Sequence, residues 1–123
     1  MAKSLKSAKK PKRKLELTIS IAGTDLPVYS TVIDEKEECW GLYLPGEPKH
    51  IILEKTMSDE HLWQTFIHEI FHAINDLYEL GLTGDEEERF AGVMGKGYYQ
   101  ALKSYLPKAP FKRRSPRRKP TNE

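Results

Sequence analysis

The sequence predicts an α+β fold: a small three- or four-stranded, mainly antiparallel sheet packed on a long helix, followed by a second helix. Three observations carry this. Residues Leu15-Glu16-Leu17-Thr18-Ile19-Ser20-Ile21 alternate apolar and polar, the period-two pattern of a half-buried strand. From Ser58 to about Leu80, apolar side chains recur at helical spacing. The strand-like segments all precede the helical ones, as expected for segregated α and β layers.

Taken in order, Leu15–Ile21 is the first strand and Ala22-Gly23-Thr24-Asp25 a turn. Val28–Ile33 is the second strand, with Pro27 at its start, and Asp34–Glu38 is an acidic loop. Cys39–Leu44 and His50–Leu53 form a hairpin around Pro45-Gly46-Glu47-Pro48. Ser58 is the expected N-cap of the long helix, with Asp59 and Glu60 placed where the helix dipole favours acid. Gly81 is the expected stop. The second helix starts near Thr83–Asp85 and ends before Pro107. Gly92, Gly95 and Gly97 each cost it roughly 1 kcal/mol relative to alanine. They either let it approach the first helix closely or break it. Tyr98 and Tyr99 lie just beyond and could supply a phenol to polarise a carbonyl, but packing is the expected role for both.

The formal net charge of +2 conceals an asymmetry. Residues 1–14 hold seven Lys/Arg and no acid, and residues 108–123 hold seven Lys/Arg against Glu123. The segment between them has six basic and seventeen acidic residues, a net of −11. The expected organisation is a disordered basic tail (1–14), a folded domain (15–107) and a second disordered basic tail (108–123). The tails have too little to bury to offset their ordering entropy. They are candidates for contact with nucleic acid or another polyanion, against the simpler reading that they keep the chain soluble. With 38% hydrophobic residues, the core is modest, and cores of that size gain from a metal or a partner. No apolar run is long enough for a membrane span, so no membrane partner is expected. The single cysteine, Cys39, suits a reducing compartment such as the cytoplasm and reads as a small buried residue rather than a ligand.

The chemistry concentrates at His68-Glu69-Ile70-Phe71-His72. Two histidines four apart on a helix lie one turn from each other, so their imidazoles can converge on one ion. Zinc takes such nitrogen ligands, and a glutamate after the first histidine can serve as general base for a water polarised by the metal. On a helical wheel, Leu62, Trp63, Phe66, Ile67, Ile70, Phe71, Ile74, Leu77 and Tyr78 form one apolar stripe. His61, His68, His72 and Glu79 fall opposite, with Glu69 at the edge. A second element must cover the histidines, or they are ordinary surface residues.

The third ligand should come from the acidic start of the second helix, brought back by Gly81 and Gly84. If Phe90, Val93 and Met94 mark its buried stripe, Glu86 points inward and Glu87 and Glu88 are rotated successively away. The choice between Glu86 and Glu87 stays open. Glu86 also stands three residues after Thr83, the spacing of a capping box. His61 and Glu79 lie about two turns from the nearer histidine, too far to share its ion.

Over roughly Gly41 to Leu102, the order of these motifs resembles the ImmA/IrrE-type metallopeptidases, in particular the short members carried by bacteriophages and prophages. The resemblance rests on the hairpin ending His50-Ile51-Ile52-Leu53, on Thr65-Phe66-Ile67-His68-Glu69-Ile70-Phe71-His72-Ala73-Ile74, and on Glu86-Glu87-Glu88-Arg89-Phe90-Ala91. It implies zinc held by His68, His72 and Glu86, with Glu69 as general base, and hydrolysis of peptide bonds in a protein or peptide substrate. It also implies a bacterial cytoplasm as the setting. The glutamate triplet, the glycines after it and the lack of a fused helix-turn-helix region depart from the family pattern. A different class of function stands beside it: a non-catalytic, zinc-stabilised module whose basic tails bind nucleic acid or an acidic protein.

Overall fold

A computed structural model describes residues 13–33 and 39–112. The acidic loop 34–38 and most of both basic tails lie outside the described residues. Strand β1 (Lys14–Ile21) turns through Ala22 and Gly23 into β2 (Thr24–Thr31). Both turn residues have positive φ, 51° and 77°, as a two-residue type I′ hairpin requires. Strand β2 therefore begins earlier than expected. Pro27 sits inside it opposite Thr18, before β2 begins to pair with β4 at Val28. A register shift between Leu15 and Leu17 frees Glu16, whose carboxylate accepts a 2.6 Å hydrogen bond from the Ser30 hydroxyl.

Strands β3 (Gly41–Leu44) and β4 (His50–Glu54) form the expected antiparallel hairpin. The sheet order is β1-β2-β4-β3, and β2 pairs with β4 in parallel. The sheet is thus four-stranded, mixed and mostly antiparallel, with β3 at one edge. At the end of β4, buried Glu54 is satisfied on both oxygens, by the Ile33 backbone N–H at 2.7 Å and the Thr56 hydroxyl at 2.9 Å.

Helix α1 (Asp59–Leu77) starts as the sequence predicts: Ser58 Oγ accepts from the His61 backbone N–H at 3.2 Å. Its buried side chains Leu62, Phe66, Glu69 and Ala73 form one line along the helix and face the sheet. Leu62 and Phe66 join Val28, Ile51, Leu53 and Met57 in the core. Each such side chain contributes about 1.5–3 kcal/mol by leaving water. Trp63, on the same stripe, donates its indole N–H to the Pro107 carbonyl at 2.8 Å, and Phe111 packs against the core. The packed chain therefore reaches past Pro107.

Helix α1 ends at Leu77, earlier than Gly81. Glu79 adopts φ 54°, Leu80 N–H bonds to Asn75 O, and Glu79 N–H bonds to Asp76 O. This is a Schellman ending with glutamate where glycine is usual. Buried Asn75 then clamps the connection: its amide donates to Leu82 O and accepts from Leu82 N–H, both at 3.0 Å. Helix α2 (Gly84–Leu102) follows. Thr83 is its N-cap but makes no side-chain cap hydrogen bond, so the capping box that the Thr83–Glu86 spacing would allow is not formed.

Among the described residues, helix α2 packs on α1 and on no strand, so the layers run sheet, α1, α2. The face it presents is not the expected Phe90–Val93–Met94 stripe. Phe90 is 38% and Val93 60% exposed, whereas Ala91 and Gly95 are buried. The glycines do not break the helix. A Cβ at Gly95 would stand 2.7 Å from the Gln64 carbonyl oxygen and 3.3 Å from His68 Cβ, so the two helices meet there almost backbone to backbone. Among the described residues, no helix is long and apolar enough to cross a membrane.

These contacts predict opposite signs for two similar substitutions. Gly95→Ala forces the helices apart and should destabilise the fold by about 1–2 kcal/mol, overpacking outweighing the gain in helix propensity. Gly97, where an added Cβ meets nothing within 4 Å, should accept alanine with a gain of up to about 1 kcal/mol. Urea unfolding of the two variants beside the parent checks both signs.

Candidate metal centre

Because Leu62, Phe66, Glu69 and Ala73 face the sheet, His68 and His72 lie roughly a third of the way round α1 from that face. The covering element that the helical wheel requires is α2. The His68 and His72 rings lie 4.9 Å apart between centroids, tilted by 52°, and their Nε2 atoms meet one carboxylate. Glu88 Oε2 lies 3.0 Å from His68 Nε2, and Glu88 Oε1 lies 3.1 Å from His72 Nε2. One ligand atom from each residue falls within 4.8 Å of the others, so the three form a group able to hold a metal ion.

The donor set passes a simple test of fit. In a tetrahedral zinc site with bonds near 2.0–2.1 Å, neighbouring ligand atoms stand ~3.3 Å apart. Each Nε2 stands close to that distance from its own Glu88 oxygen, Oε2 for His68 and Oε1 for His72, and the three ligand atoms fall within 4.8 Å of one another. Two imidazole nitrogens and one carboxylate oxygen are also the ligand types of an open, three-ligand zinc site.

The expected third partner, Glu86, is not in this group. It is exposed on α2, and the position falls to Glu88. The reason is the rotation of α2. Placing Phe90 inside turns the helix so that Glu86 faces inward. The real contact is made by Ala91 and Gly95, three and seven residues after Glu88, and that turns Glu88 towards the histidines. The readable signal is the small-residue row Ala91, Gly92, Gly95 rather than the aromatic one. Glu87, the other candidate, reaches His72 from the far side of the ring: its Oε2 lies 2.6 Å from His72 Nδ1. His61 packs against Trp40 with ring centroids 4.9 Å apart, and Tyr98 packs on Phe71 at 5.5 Å, so both serve as packing residues.

Glu69 is more enclosed than its place at the edge of the wheel suggests. It is 6% exposed, pressed between α1 and the edge strand, where a Cβ at Gly41 would come within 3.1 Å of its Cγ. Burial pushes its carboxyl up to about 7. The His72 charge and a hydrogen bond from the Tyr43 backbone N–H work the other way, while Glu88 and Glu87 add to the rise. Burial also lowers the pKa of His68, assisted by the neighbouring His72. At His72, burial acts downward but is outweighed by the Glu87 hydrogen bond and the charges of Glu69, Glu88 and Glu87, so the imidazole is raised.

A cleft of about 460 Å³ opens over the group, lined by Tyr43, His68, Glu69, His72, Asp76 and Glu88 among others. Tyr43, which no motif in the sequence marks, donates its hydroxyl to Asp76 Oδ2 at 2.7 Å, and Lys49 stands 3.4 Å from the same oxygen. The Tyr43 hydrogen bond leads in lowering the Asp76 pKa, with Lys49 adding to it. Among the described residues, the arrangement is that of an HExxH-type site: two histidines and a glutamate on one ion's worth of space, with a buried carboxylate beside them. Comparison of the chain with protein-family models, curated proteins and solved structures finds no match.

The raised Glu69 carboxyl gives a pH signature in metal-free protein. Its pKa is higher folded than unfolded, so the folded state holds the proton more tightly. The group costs stability as pH rises from its unfolded value towards 7. Taking 4.5 to about 7, the loss approaches ~3 kcal/mol above neutrality. Glu69→Gln should therefore be more stable than the parent at pH 8, and the two should converge near pH 4. Unfolding curves in chelator across this range measure the difference.

Proposed function

We propose that the chain is a zinc metallopeptidase of the ImmA/IrrE type, with His68, His72 and Glu88 as the metal ligands and Glu69 as general base. The observation that carries this reading is the convergence of both Nε2 atoms on Glu88, with Glu69 buried alongside. A zinc ion bound by these residues would act as a Lewis acid, making a water molecule acidic enough to lose a proton near neutral pH.

The chain's own residues then divide the work. Glu69 accepts the proton from the attacking water and passes it to the amine that leaves when the peptide bond breaks. Its burial beside the edge strand shields this carboxylate from bulk water and holds it next to the histidines. The Tyr43 N–H holds one face of the Glu69 carboxylate, and Gly41 leaves room for its stem. Strand β3 supplies Gly41, Leu42 and Tyr43 to the wall of the cleft, beside which an extended peptide can lie. The Tyr43–Asp76–Lys49 cluster braces the far end of that wall.

Elemental analysis of purified protein should find one zinc per chain, and His72→Ala or Glu88→Ala should lose it. Glu69→Gln should keep the metal while cleavage of an unfolded polypeptide drops at least ~100-fold. A parent protein without zinc would sink the metal reading. Full cleavage by Glu69→Gln would remove Glu69 from the reaction.

A further inference from the structure

Glu87 lies next in sequence to a residue in the metal-binding group but belongs to a different part of the site. Its carboxylate meets His72 at Nδ1, the ring nitrogen that faces away from Glu88. Its side chain is 27% exposed, against 64% for Glu88, so it is the better sheltered of the two. The 2.6 Å separation is that of a short, charge-assisted hydrogen bond.

We propose that Glu87 is a positioning residue: it accepts the Nδ1–H of His72 and so fixes the tautomer that leaves the Nε2 lone pair free for the metal. The proposal rests on the metal reading above. A neutral imidazole carries one proton, and the nitrogen that holds it cannot ligate. In free solution the two tautomers interchange, and the ring can also rotate. A carboxylate fixed on Nδ1 removes both freedoms and makes the opposite nitrogen a better donor.

The placement follows from the fold. Consecutive residues on a helix are rotated by about 100°, so Glu87 and Glu88 cannot point the same way. With α2 lying alongside α1, the two carboxylates straddle the His72 ring, one at each nitrogen. The Asn75–Leu82 clamp and the Gly95 contact hold α2 in the rotation that allows this.

The test uses the full chain and zinc, with affinity read by competition against a chromophoric chelator. Glu87→Ala should weaken zinc binding about 10- to 100-fold. Glu87→Gln, whose amide oxygen still accepts the Nδ1–H, should lie between Glu87→Ala and the parent. Glu88→Ala should abolish the site. Long-range ¹⁵N spectra of the zinc-loaded parent should show His72 protonated at Nδ1. If Glu87→Ala folds and binds zinc within about twofold of the parent, the proposal is overturned while the metal reading stands. Should Glu87→Ala not fold, Glu87→Gln binding as weakly as Glu88→Ala would overturn it too, since that would make Glu87 a ligand. A zinc-free parent removes both readings together.

Discussion

The close passage of α2 over α1 at Gly95 is the contact on which the site depends. Glu88 is not near the histidines in sequence, and among the described residues no strand packs on α2. The helix–helix interface therefore sets how far and in what rotation α2 lies at this end. A residue with a side chain at 95 would meet the Gln64 carbonyl, which no rotamer change can move away. The same approach brings Ala91 into the interface and aims the residue one turn before it at the imidazoles. Asn75 holds the other end by pairing both polar backbone groups of Leu82, so the short connection enters α2 at a fixed point. Spacing and rotation are thereby set at both ends of the segment that carries Glu87 and Glu88.

Helix α1 serves two neighbours with two faces. Towards the sheet it presents Leu62, Phe66 and Ala73, which account for its hold on the core, and with them Glu69. Towards α2 it presents His68 and His72. A carboxylate on the sheet-facing line is unfavourable for folding, since burial disfavours its charge. The sheet partly offsets this by a backbone hydrogen bond from Tyr43 on an edge strand, whose backbone is not fully used by pairing. The edge position of β3 thus has a structural use: a central strand would have no N–H to spare for Glu69.

Much of this is legible in the sequence, for identifiable reasons. Alternation marks the strands and the hairpin, Ser58 marks the start of α1, and His68, Glu69 and His72 are evident from spacing alone. Other features are not legible. The parallel pairing of β2 with β4 depends on how strands are ordered, and alternation is blind to order. The early end of α1 is hidden because Glu79 takes the left-handed conformation usually left to glycine. The third partner is misplaced when Phe90 is given the buried position on α2. In a third layer touching only one helix, the contact surface can be built from Ala91 and Gly95, with aromatic residues flanking it. Phe90 packs edge-on against Phe71 at the margin of that interface, at 5.7 Å. The basic tails fall largely outside the described residues, so their expected polyanion role rests on charge alone.

The charge balance of the site argues in the same direction as its geometry. Three carboxylates, from Glu69, Glu87 and Glu88, surround two imidazoles. Burial disfavours the charged form of His68. Burial is the main force raising the Glu69 carboxyl, the His72 charge opposes it, and Glu88 and Glu87 add a like-charge push upward. Placing a divalent cation between the Nε2 atoms and Glu88 would reverse that sign. It would allow Glu88 to be an anion without opposing Glu69, and would leave His72 neutral, with its remaining proton directed at Glu87. The three carboxylates would then hold separate roles, Glu88 as ligand, Glu69 as proton carrier and Glu87 as orienting partner.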